Sequence, residues 1–451
     1  MLFETRTITT NVLIAILFAV MAVACSDIDP EFNPYPDSGK IESTPARRPN
    51  QTPRSVFIYM GLGYNNLSSY LSDDIDEIIA NKLPTAYWQD DVVLIFSHKT
   101  AAYSDYSTPT SPTLTRIYTD WDGSVAKDTL MRLDDTTISA SAKTINSVLS
   151  YVKEEFPATS YGMMMSSHGT GWVPADYCNN PSDYDAEDND IWFSQRRRGR
   201  TPKPFLDDLS IDGAPAVKSF GVQNISKSEL KEIDITDLAD AIPMKMDYII
   251  FDACFMGGVE VAFEFKDKCN LMAFSQTEIL ADGMDYQSIL SYILDNNGPD
   301  LKGFCENYFL MYDNRSGFNR SATISLVDCR RLTPLADVCR EIFDSRREGI
   351  AELENSSDIQ RFYRSSYADC HKWFFDLYDI AKKCGASEVQ LDSLNDALKG
   401  CIIYKAATDV FIDLKIYTHC GLSMYLPYQD RTYLNNFYKT LEWNKATGLV
   451  Q

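Results

Sequence analysis

The chain has 451 residues, of which 45% are hydrophobic and 12% are aromatic, and this is enough apolar material for a folded core of one to three domains. The formal net charge of −22 makes nucleic acids and anionic membrane surfaces unfavourable partners and favours cationic ligands. The composition therefore excludes a disordered or nucleic-acid-binding chain and fits a globular protein that acts on basic molecules.

The first 24 residues form a predicted signal peptide. Arg6 precedes an apolar run over residues 12–24, which is too short to cross a bilayer but typical of an export signal. Small residues precede Cys25 directly after this run, and the arrangement resembles a bacterial lipobox, in which Cys25 would be lipidated. We therefore expect an outer-membrane lipoprotein of the bacterial cell envelope, anchored by its N-terminal lipid. The alternative is an ordinary secretory peptide with an incidental cysteine.

Residues 25–54 are acidic, contain several prolines and lack apolar periodicity, which predicts a tether rather than a domain. An acidic stretch directly after the lipidated cysteine resembles the surface-export signal of lipoproteins in some Gram-negative bacteria. The tether is thus compatible with display on the outer face of the cell.

Strand-like and helix-like segments alternate from residue 55 to residue 330. Apolar runs at 56–60 and 91–96 flank a helical segment at 67–79, and a helix within 137–156 precedes a strand at 161–165. Such alternation predicts an α/β fold with a mostly parallel sheet sandwiched by helices.

An acidic insertion at 175–220 interrupts this alternation. It contains four basic residues in a short stretch, which are Arg196, Arg197, Arg198 and Arg200. The cluster is either part of a solvated loop or a cleavable linker for an enzyme that cuts after basic residues.

Regular structure resumes with a predicted helix near 236–242, which Pro243 ends. A strand at 246–254 follows and leads into a predicted helix beginning near residue 255. Further predicted elements are strands at 271–274 and 322–327 and helices at 286–295 and 302–312. Residues 331–451 are predicted to form a smaller, mainly helical C-terminal subdomain, with late strands at 410–416 and 422–427 that return to the sheet.

Two strand ends carry reactive side chains. His168 follows the strand at 161–165, and Cys254 lies at the end of the strand at 246–254. Because the carboxyl ends of parallel strands open onto one crevice, these residues can meet although 86 positions separate them. An imidazolium and a helix N-terminus beside Cys254 would favour the thiolate that attacks a carbonyl. The N–H groups of Gly169 and Cys254 are candidate oxyanion donors.

The other histidine and cysteine residues carry weaker signals. The pairs His419-Cys420 and Cys370-His371 are predicted to be structural, and His98 has no cysteine on a neighbouring turn. Besides Cys25, ten cysteines are scattered without a CxxC pair or zinc-ligand spacing, so we expect no structural metal and mostly buried thiols.

The two motifs resemble those of a known family. Residues 168–172 (HGTGW) and 251–257 (FDACFMG) are similar to the active-site motifs of clostripain-like cysteine peptidases, which have the caspase-type fold. The similarity extends to residues 64–67, 273–278 and 421–427. The resemblance implies a caspase-like fold, with His168 as the catalytic histidine and Cys254 as the nucleophile that forms a thioester.

The resemblance also implies the specificity. In such enzymes two acids line the pocket for the residue on the acyl side of the cut, and here these are Asp252 and Asp282. Two carboxylates can hold a guanidinium or an ammonium group, which implies cleavage after Arg, with Lys as the second candidate. The alternative readings are a helix cap for Asp252 and a turn residue for Asp282.

Self-cleavage between the two motifs occurs in the family, and the arginine cluster at 196–200 lies in that interval. Thr277 and Tyr64 replace acids that are common in the family, which bears on pocket shape and on calcium dependence; no other cofactor is expected. The substrates implied are peptides or proteins with basic residues. The rival functions are a catalytically silent surface lipoprotein that binds basic peptides and a transpeptidase that passes the thioester to an amine.

Overall fold

The computed structural model describes residues 42–43, 53–62, 67–85, 91–98, 100–102, 105–175, 177, 223–226, 229–356, 358–364 and 372–451. The predicted signal peptide, Cys25, nearly all of the tether and the cluster Arg196–Arg200 lie outside these residues. Within the described ranges, none of the helices combines the length and the apolar character that a membrane crossing requires.

Ten strands form one central sheet. They are β1 (Glu42–Ser43), β2 (Ser55–Leu62), β3 (Asp91–His98), β4 (Thr113–Thr119), β5 (Val125–Arg132), β6 (Ser160–Ser166), β7 (Met246–Asp252), β8 (Cys269–Phe274), β9 (Thr323–Asp328) and β10 (Ile402–Ala407). Their order across the sheet is β1-β5-β4-β3-β2-β6-β7-β8-β9-β10. The five strands in the middle of the sheet are parallel to one another, and their order is β3-β2-β6-β7-β8. The predicted parallel α/β core is confirmed.

Antiparallel strands extend this core on both sides. On one side β4, β5 and β1 follow β3, and on the other side β9 and β10 follow β8. The central strands are nearly continuous buried apolar runs, as expected for strands covered on both faces. Gly162 in β6 lies against the ring of Tyr248 in β7, where a Cβ would come within 1.9 Å of a ring carbon. The missing side chain thus makes room for the tyrosine.

Helices flank the sheet. They are α1 (Ser68–Ala80), α2 (Ala142–Glu155), α3 (Ile235–Asp240), α4 (Val259–Glu264), α5 (Ile289–Ile293), α6 (Leu301–Asp313), α7 (Leu332–Ser345), α8 (Arg347–Glu352), α9 (Leu377–Lys383), α10 (Glu388–Cys401), α11 (Thr432–Tyr438) and α12 (Glu442–Thr447). In the C-terminal part, α7 packs against α10 and α12, and α12 also packs against α4. The C-terminal helices therefore contact the helix that follows Cys254.

Four expectations about the elements need correction. The helix after Cys254 begins at Val259 rather than near residue 255. The late strand that joins the sheet is β10, whereas Val410–Phe411 and Leu414–Lys415 pair only with each other. Ser423–Met424 pairs with Phe375–Asp376 outside the sheet. In the predicted tether, β1 pairs with β5, so this part of it is not free of regular structure.

Candidate active site

The two motifs follow adjacent parallel strands. β6 and β7 are hydrogen-bonded neighbours, and Ser166 is opposite Asp252 in their register. His168 and Cys254 each come two residues after this pair, so both leave the sheet at the same edge. Both side chains are buried, with 3% of His168 and 1% of Cys254 exposed. The topology thus brings together the two motifs that the sequence separates.

The histidine loop (residues 167–172) and the cysteine loop (residues 253–258) touch each other. Gly171 has a φ of +59°, and a Cβ there would lie 2.6 Å from the carbonyl oxygen of Phe255 and 2.6 Å from the ring of Phe374. Phe255 also has a φ of +59°, although it is not a glycine, and its ring stacks on Phe374 at 4.7 Å. A left-handed Phe costs on the order of 1–3 kcal/mol and is kept only where packing enforces it.

The Cys254 thiol contacts the main chain of the loop that follows β8. The N–H of Ile279 donates to Sγ at 3.2 Å, and Sγ lies 3.8 Å from the Ile279 carbonyl oxygen. The peptide unit of Ile279 therefore contacts the sulfur through both its N–H and its carbonyl oxygen. The helix N-terminus that we expected beside the thiol is five residues further along the chain, because α4 begins only at Val259.

A polar network holds the loop of residues 275–279. The Gln276 amide donates to the Gly421 carbonyl at 2.9 Å and to Ser325 Oγ at 3.2 Å, and its oxygen lies 2.6 Å from His419 Nε2. Burial, followed by the charge of Lys405, lowers the pKa of His419 well below its usual value, so this histidine stays neutral. The position of His419 in this network supports the structural role expected for it.

A buried ion pair supports the same loop. The guanidinium of Arg364 contacts Glu278 Oε1 at 3.0 and 3.1 Å, and the two side chains are only 2% and 1% exposed. Glu278 directly precedes Ile279, whose main chain contacts the thiol. The ion pair therefore fixes the backbone next to the cysteine.

The two predicted acids of the specificity pocket occupy different environments. Asp252 is fully buried at the end of β7, where its Oδ2 accepts hydrogen bonds from Ser166 Oγ at 2.9 Å and from the Tyr286 hydroxyl. The Asp282 side chain is 60% exposed and forms an ion pair with Arg315 at 2.8 Å. Asp252 is thus a buried carboxylate at the end of β7, whereas Asp282 lies at the surface, paired with a cation of this chain.

Tyr312 connects the surroundings of the two acids. Its hydroxyl donates to the Gly283 carbonyl at 2.6 Å, and its ring lies beneath the Arg315 guanidinium. Burial is the main cause that raises the pKa of Tyr312, and the charges of Asp252 and Asp282 both add to it. Both carboxylates are therefore within electrostatic range of one side chain.

Several contact residues were not identified from the sequence. Tyr286 follows the predicted acid Asp282 closely, but nothing in the pattern showed that its hydroxyl reaches Asp252. Ile279 acts through its main chain, which no residue type reveals. Glu260 is completely buried and contacts Tyr425 and Tyr438, but in the sequence it looks like an ordinary acidic residue at the start of a helix.

The described cysteines are free and buried, as expected. Cys269 and Cys329 lie on neighbouring strand ends with their sulfur atoms 3.6 Å apart. Within the part of the chain that the structure describes, no three His, Cys, Asp or Glu side chains are grouped so that they could hold a metal ion.

Known proteins resemble this chain in sequence and in fold. The profile of the Clostripain family matches residues 58–192 and 215–448, which include both motifs. An inactive zymogen C11 protease from Parabacteroides distasonis is 25% identical, with a TM-score of 0.66 over 88% of this chain and 99% of that one. A secreted C11 cysteine protease from Bacteroides thetaiotaomicron is 24% identical, with a TM-score of 0.64 over 88% of this chain and 100% of that one.

A secreted C11 cysteine protease from Bacteroides thetaiotaomicron in complex with an irreversible peptide inhibitor is also similar in fold. It is 21% identical, with a TM-score of 0.64 over 88% of this chain and 99% of that one. No curated protein matches the sequence significantly. The family profile covers most of the chain, and the structural matches share its caspase-like architecture. The chain therefore belongs to the clostripain family of cysteine proteases.

Proposed function

We propose that the protein is an endopeptidase that cleaves after Arg, and also after Lys, with Cys254 as its nucleophile and His168 as its general acid and base. The observation that carries this proposal is the contact between the histidine and cysteine loops at Gly171 and Phe255, on adjacent parallel strands. Both residues are buried and each follows one of these two strands, which supports a thiol and an imidazole acting together.

The reaction then follows from the chemistry of this pair. His168 removes the proton of the thiol, and Sγ of Cys254 bonds to the carbonyl carbon of the substrate. When the tetrahedral intermediate collapses, the carbon–nitrogen bond breaks and His168 returns the proton to the leaving amine. Water, deprotonated by His168, then hydrolyses the thioester and restores the thiol.

Main-chain donors stabilise the oxyanion of the intermediate in this proposal. The N–H groups of Gly169 and Cys254 are the candidates, because both lie at the carboxyl ends of the two strands. Loss of one such donor typically costs about 2.7–4 kcal/mol of transition-state stabilisation.

Asp252 is the main acid of the specificity pocket in this proposal, and Asp282 is the second. The end of β7 places Asp252 two residues before Cys254, and its hydrogen bonds from Ser166 and Tyr286 hold the carboxylate in place. A carboxylate there would bind the guanidinium of a substrate Arg. Asp282 contributes less, because it already has Arg315 as a partner.

We also propose that the uncut chain is a zymogen and that cleavage at the cluster of Arg196, Arg197, Arg198 and Arg200 activates it. The cluster lies in residues 193–214, which the family profile does not match, and both His168 and Cys254 are buried in the intact chain. The similar P. distasonis protease is described as an inactive zymogen. Lipidation of Cys25, attachment to the outer membrane and display at the surface complete the proposal.

The test uses peptide amides that end in Arg, Lys or citrulline, which is a neutral analogue of Arg. The wild type should release the leaving group from the Arg and Lys amides but not from the citrulline amide, and Cys254→Ala should be inactive. A variant with Gln at all four arginines of the cluster should stay uncut and slow until a second protease cuts the insertion.

Two results would contradict the proposal. If the wild type binds basic peptides but hydrolyses none of them even after the insertion is cut, the chain is the catalytically silent binder. If an added amine captures most of the acyl group in place of water, the chain is a transpeptidase. Hydrolysis of the citrulline amide at an equal rate would remove the proposed role of Asp252.

A further inference from the structure

Glu260 is a completely buried acid close to the nucleophile. It lies in the first turn of α4, six residues after Cys254. Its Oε1 accepts hydrogen bonds from the main-chain N–H of Tyr425 and from the hydroxyl of Tyr438, both at 2.7 Å. Among the described residues it forms no ion pair, and burial raises its pKa to about 7. The carboxyl group of Glu260 thus joins α4 to Tyr425 and Tyr438 in the C-terminal part of the chain.

Such a group destabilises the folded state. A buried carboxylate without a cationic partner loses its hydration, and an apolar side chain of similar size would be more stable at the same position. The two hydrogen bonds compensate for part of this cost only. A role beyond stability therefore explains why a polar side chain that accepts hydrogen bonds occupies this position.

On one side, the partners of Glu260 hold the histidine loop. The rings of Tyr425 and Tyr438 pack on Trp172 with centroid distances of 4.6 and 5.0 Å, and Trp172 is fully buried. Trp172 directly follows Gly171 and comes four residues after His168. The two tyrosines therefore pack on the last residue of the histidine loop.

On the other side, the carboxyl group lies against the cysteine loop. A Cβ at Gly258 would come within 2.9 Å of Glu260 Oε2. The N–H of Ser423, in the same segment as Tyr425, donates to the Gly257 carbonyl at 2.9 Å. The segment that Glu260 holds is therefore hydrogen-bonded to the loop that carries the nucleophile.

We propose that Glu260 is a positioning residue that sets the geometry between His168 and Cys254 by fixing the C-terminal segment of residues 423–438 against both loops. This inference rests on the proposed function, since it assumes that the two residues act as a pair. Glu260 touches neither the substrate nor the reacting atoms. Its effect is transmitted through Tyr425 and Tyr438 to one loop and through the backbone of Gly257 and Gly258 to the other.

The experiment compares Glu260→Ala, Glu260→Gln and Tyr438→Phe with the matched control Glu264→Ala. Glu264 belongs to the same helix but accepts a hydrogen bond from the N–H of Glu442 instead. Hydrolysis of the Arg amide gives kcat and KM. Alkylation of Cys254 by iodoacetamide, located by mass spectrometry and followed against pH, reports how well His168 stabilises the thiolate.

We expect Glu260→Ala to lower kcat by about 10- to 100-fold with KM nearly unchanged, because small misplacements of catalytic groups have effects of this size. The pH dependence of its alkylation should move toward that of an isolated thiol, whose pKa is about 8.5. Glu260→Gln keeps an oxygen that accepts both hydrogen bonds, so it should restore kcat to within about threefold. Tyr438→Phe should fall in between, and Glu264→Ala should match the wild type.

The inference is overturned if folded Glu260→Ala, or Tyr438→Phe where the alanine variant does not fold, keeps the kcat and the alkylation profile of the wild type. It is also overturned if Glu260→Gln is as impaired as Glu260→Ala. A failure of the proposed function looks different, because then the wild type itself would not hydrolyse the amide, or Cys254→Ala would hydrolyse it equally well.

Discussion

The main chain of Gly171 lies so close to the carbonyl oxygen of Phe255 that a Cβ at position 171 would be 2.6 Å from this oxygen. The contact joins the loop after β6 to the loop after β7, one residue beyond Cys254. It depends on a residue without a side chain and with a positive φ, and both requirements are met at the same position.

Gly171→Ala should therefore destabilise the fold by about 2–4 kcal/mol, because the strain of a left-handed alanine adds to the overlap with Phe255. We also expect a loss of kcat of about 100-fold, since the two loops must separate. Urea unfolding and hydrolysis of the Arg amide measure the two effects.

Gly123→Ala is the control. Gly123 has a φ of +82° but no atom within 4 Å of its Cβ position, so this variant should lose only the strain energy of about 1–2 kcal/mol. Equal activity in both variants would contradict the prediction.

Gly257 and Gly400 form a second matched pair. A Cβ at Gly257 would lie 2.7 Å from the backbone nitrogen of Gln276 and 2.7 Å from the backbone carbon of Ser275, so Gly257→Ala must displace main chain and should cost about 1–3 kcal/mol. Gly400 lies in α10 with open space around it, and Gly400→Ala should stabilise the protein by up to about 1 kcal/mol. The unfolding temperature should therefore fall for Gly257→Ala and rise for Gly400→Ala. An unchanged or raised unfolding temperature for Gly257→Ala would show that the loop adapts to a side chain.

The ion pair between Glu278 and Arg364 should be far more sensitive than an exposed one. Arg364→Met leaves a buried carboxylate without its partner and should cost about 3–5 kcal/mol, whereas Glu278→Gln combined with Arg364→Met should recover part of this loss. Lys302→Met breaks an exposed pair with Glu306 and should cost at most about 0.5 kcal/mol. Urea unfolding of the three variants tests this order. Similar losses for Arg364→Met and Lys302→Met would mean that water reaches Glu278.

Glu260 makes the stability depend on pH. Its pKa is raised from 4.5 to about 7, so between these values the folded state binds more protons than the unfolded state. The free energy of unfolding therefore falls as pH rises through this range, and the full cost above pH 7 is about 3 kcal/mol. Glu260→Gln removes this cost, so it should match the wild type at pH 4 and exceed its stability at pH 8. Glu348→Gln, an exposed change of the same charge, is the control in urea unfolding at both pH values. A wild-type pH slope in Glu260→Gln would refute the assignment.

The sequence was sufficient for the central sheet and for the meeting of the two motifs. Continuous apolar runs predict buried parallel strands, and the carboxyl ends of such strands share one edge, which is where His168 and Cys254 lie. The hydrogen bond from Ile279 to the thiol could not be predicted, because a main-chain donor leaves no residue signature. The contacts of Glu260 with Tyr425 and Tyr438 join segments far apart in sequence, and local patterns carry no information about them.

The late strands show where local patterns mislead. β10 begins directly after α10 ends, with no residue between Cys401 and Ile402, so no connecting turn marks the change from helix to strand. The apolar residues near 410–416 indicate a strand, but Ile412 has a φ of +52° and turns the chain into a short hairpin. Tertiary contacts, including the hydrogen bond from the N–H of Ile412 to Ser321, override the local preference there.

The neighbouring positions of β6 and β7 have a consequence for a processed enzyme. The insertion at 175–220 connects these two strands, so a cut within it divides the chain between two adjacent strands in the middle of the sheet. The fragments would remain joined by the backbone hydrogen bonds of the β6–β7 pair and by the buried core on both faces, without any covalent link. A processed enzyme would thus be an obligate two-chain assembly whose halves each carry one of the two motifs, and separating the halves would require unfolding them.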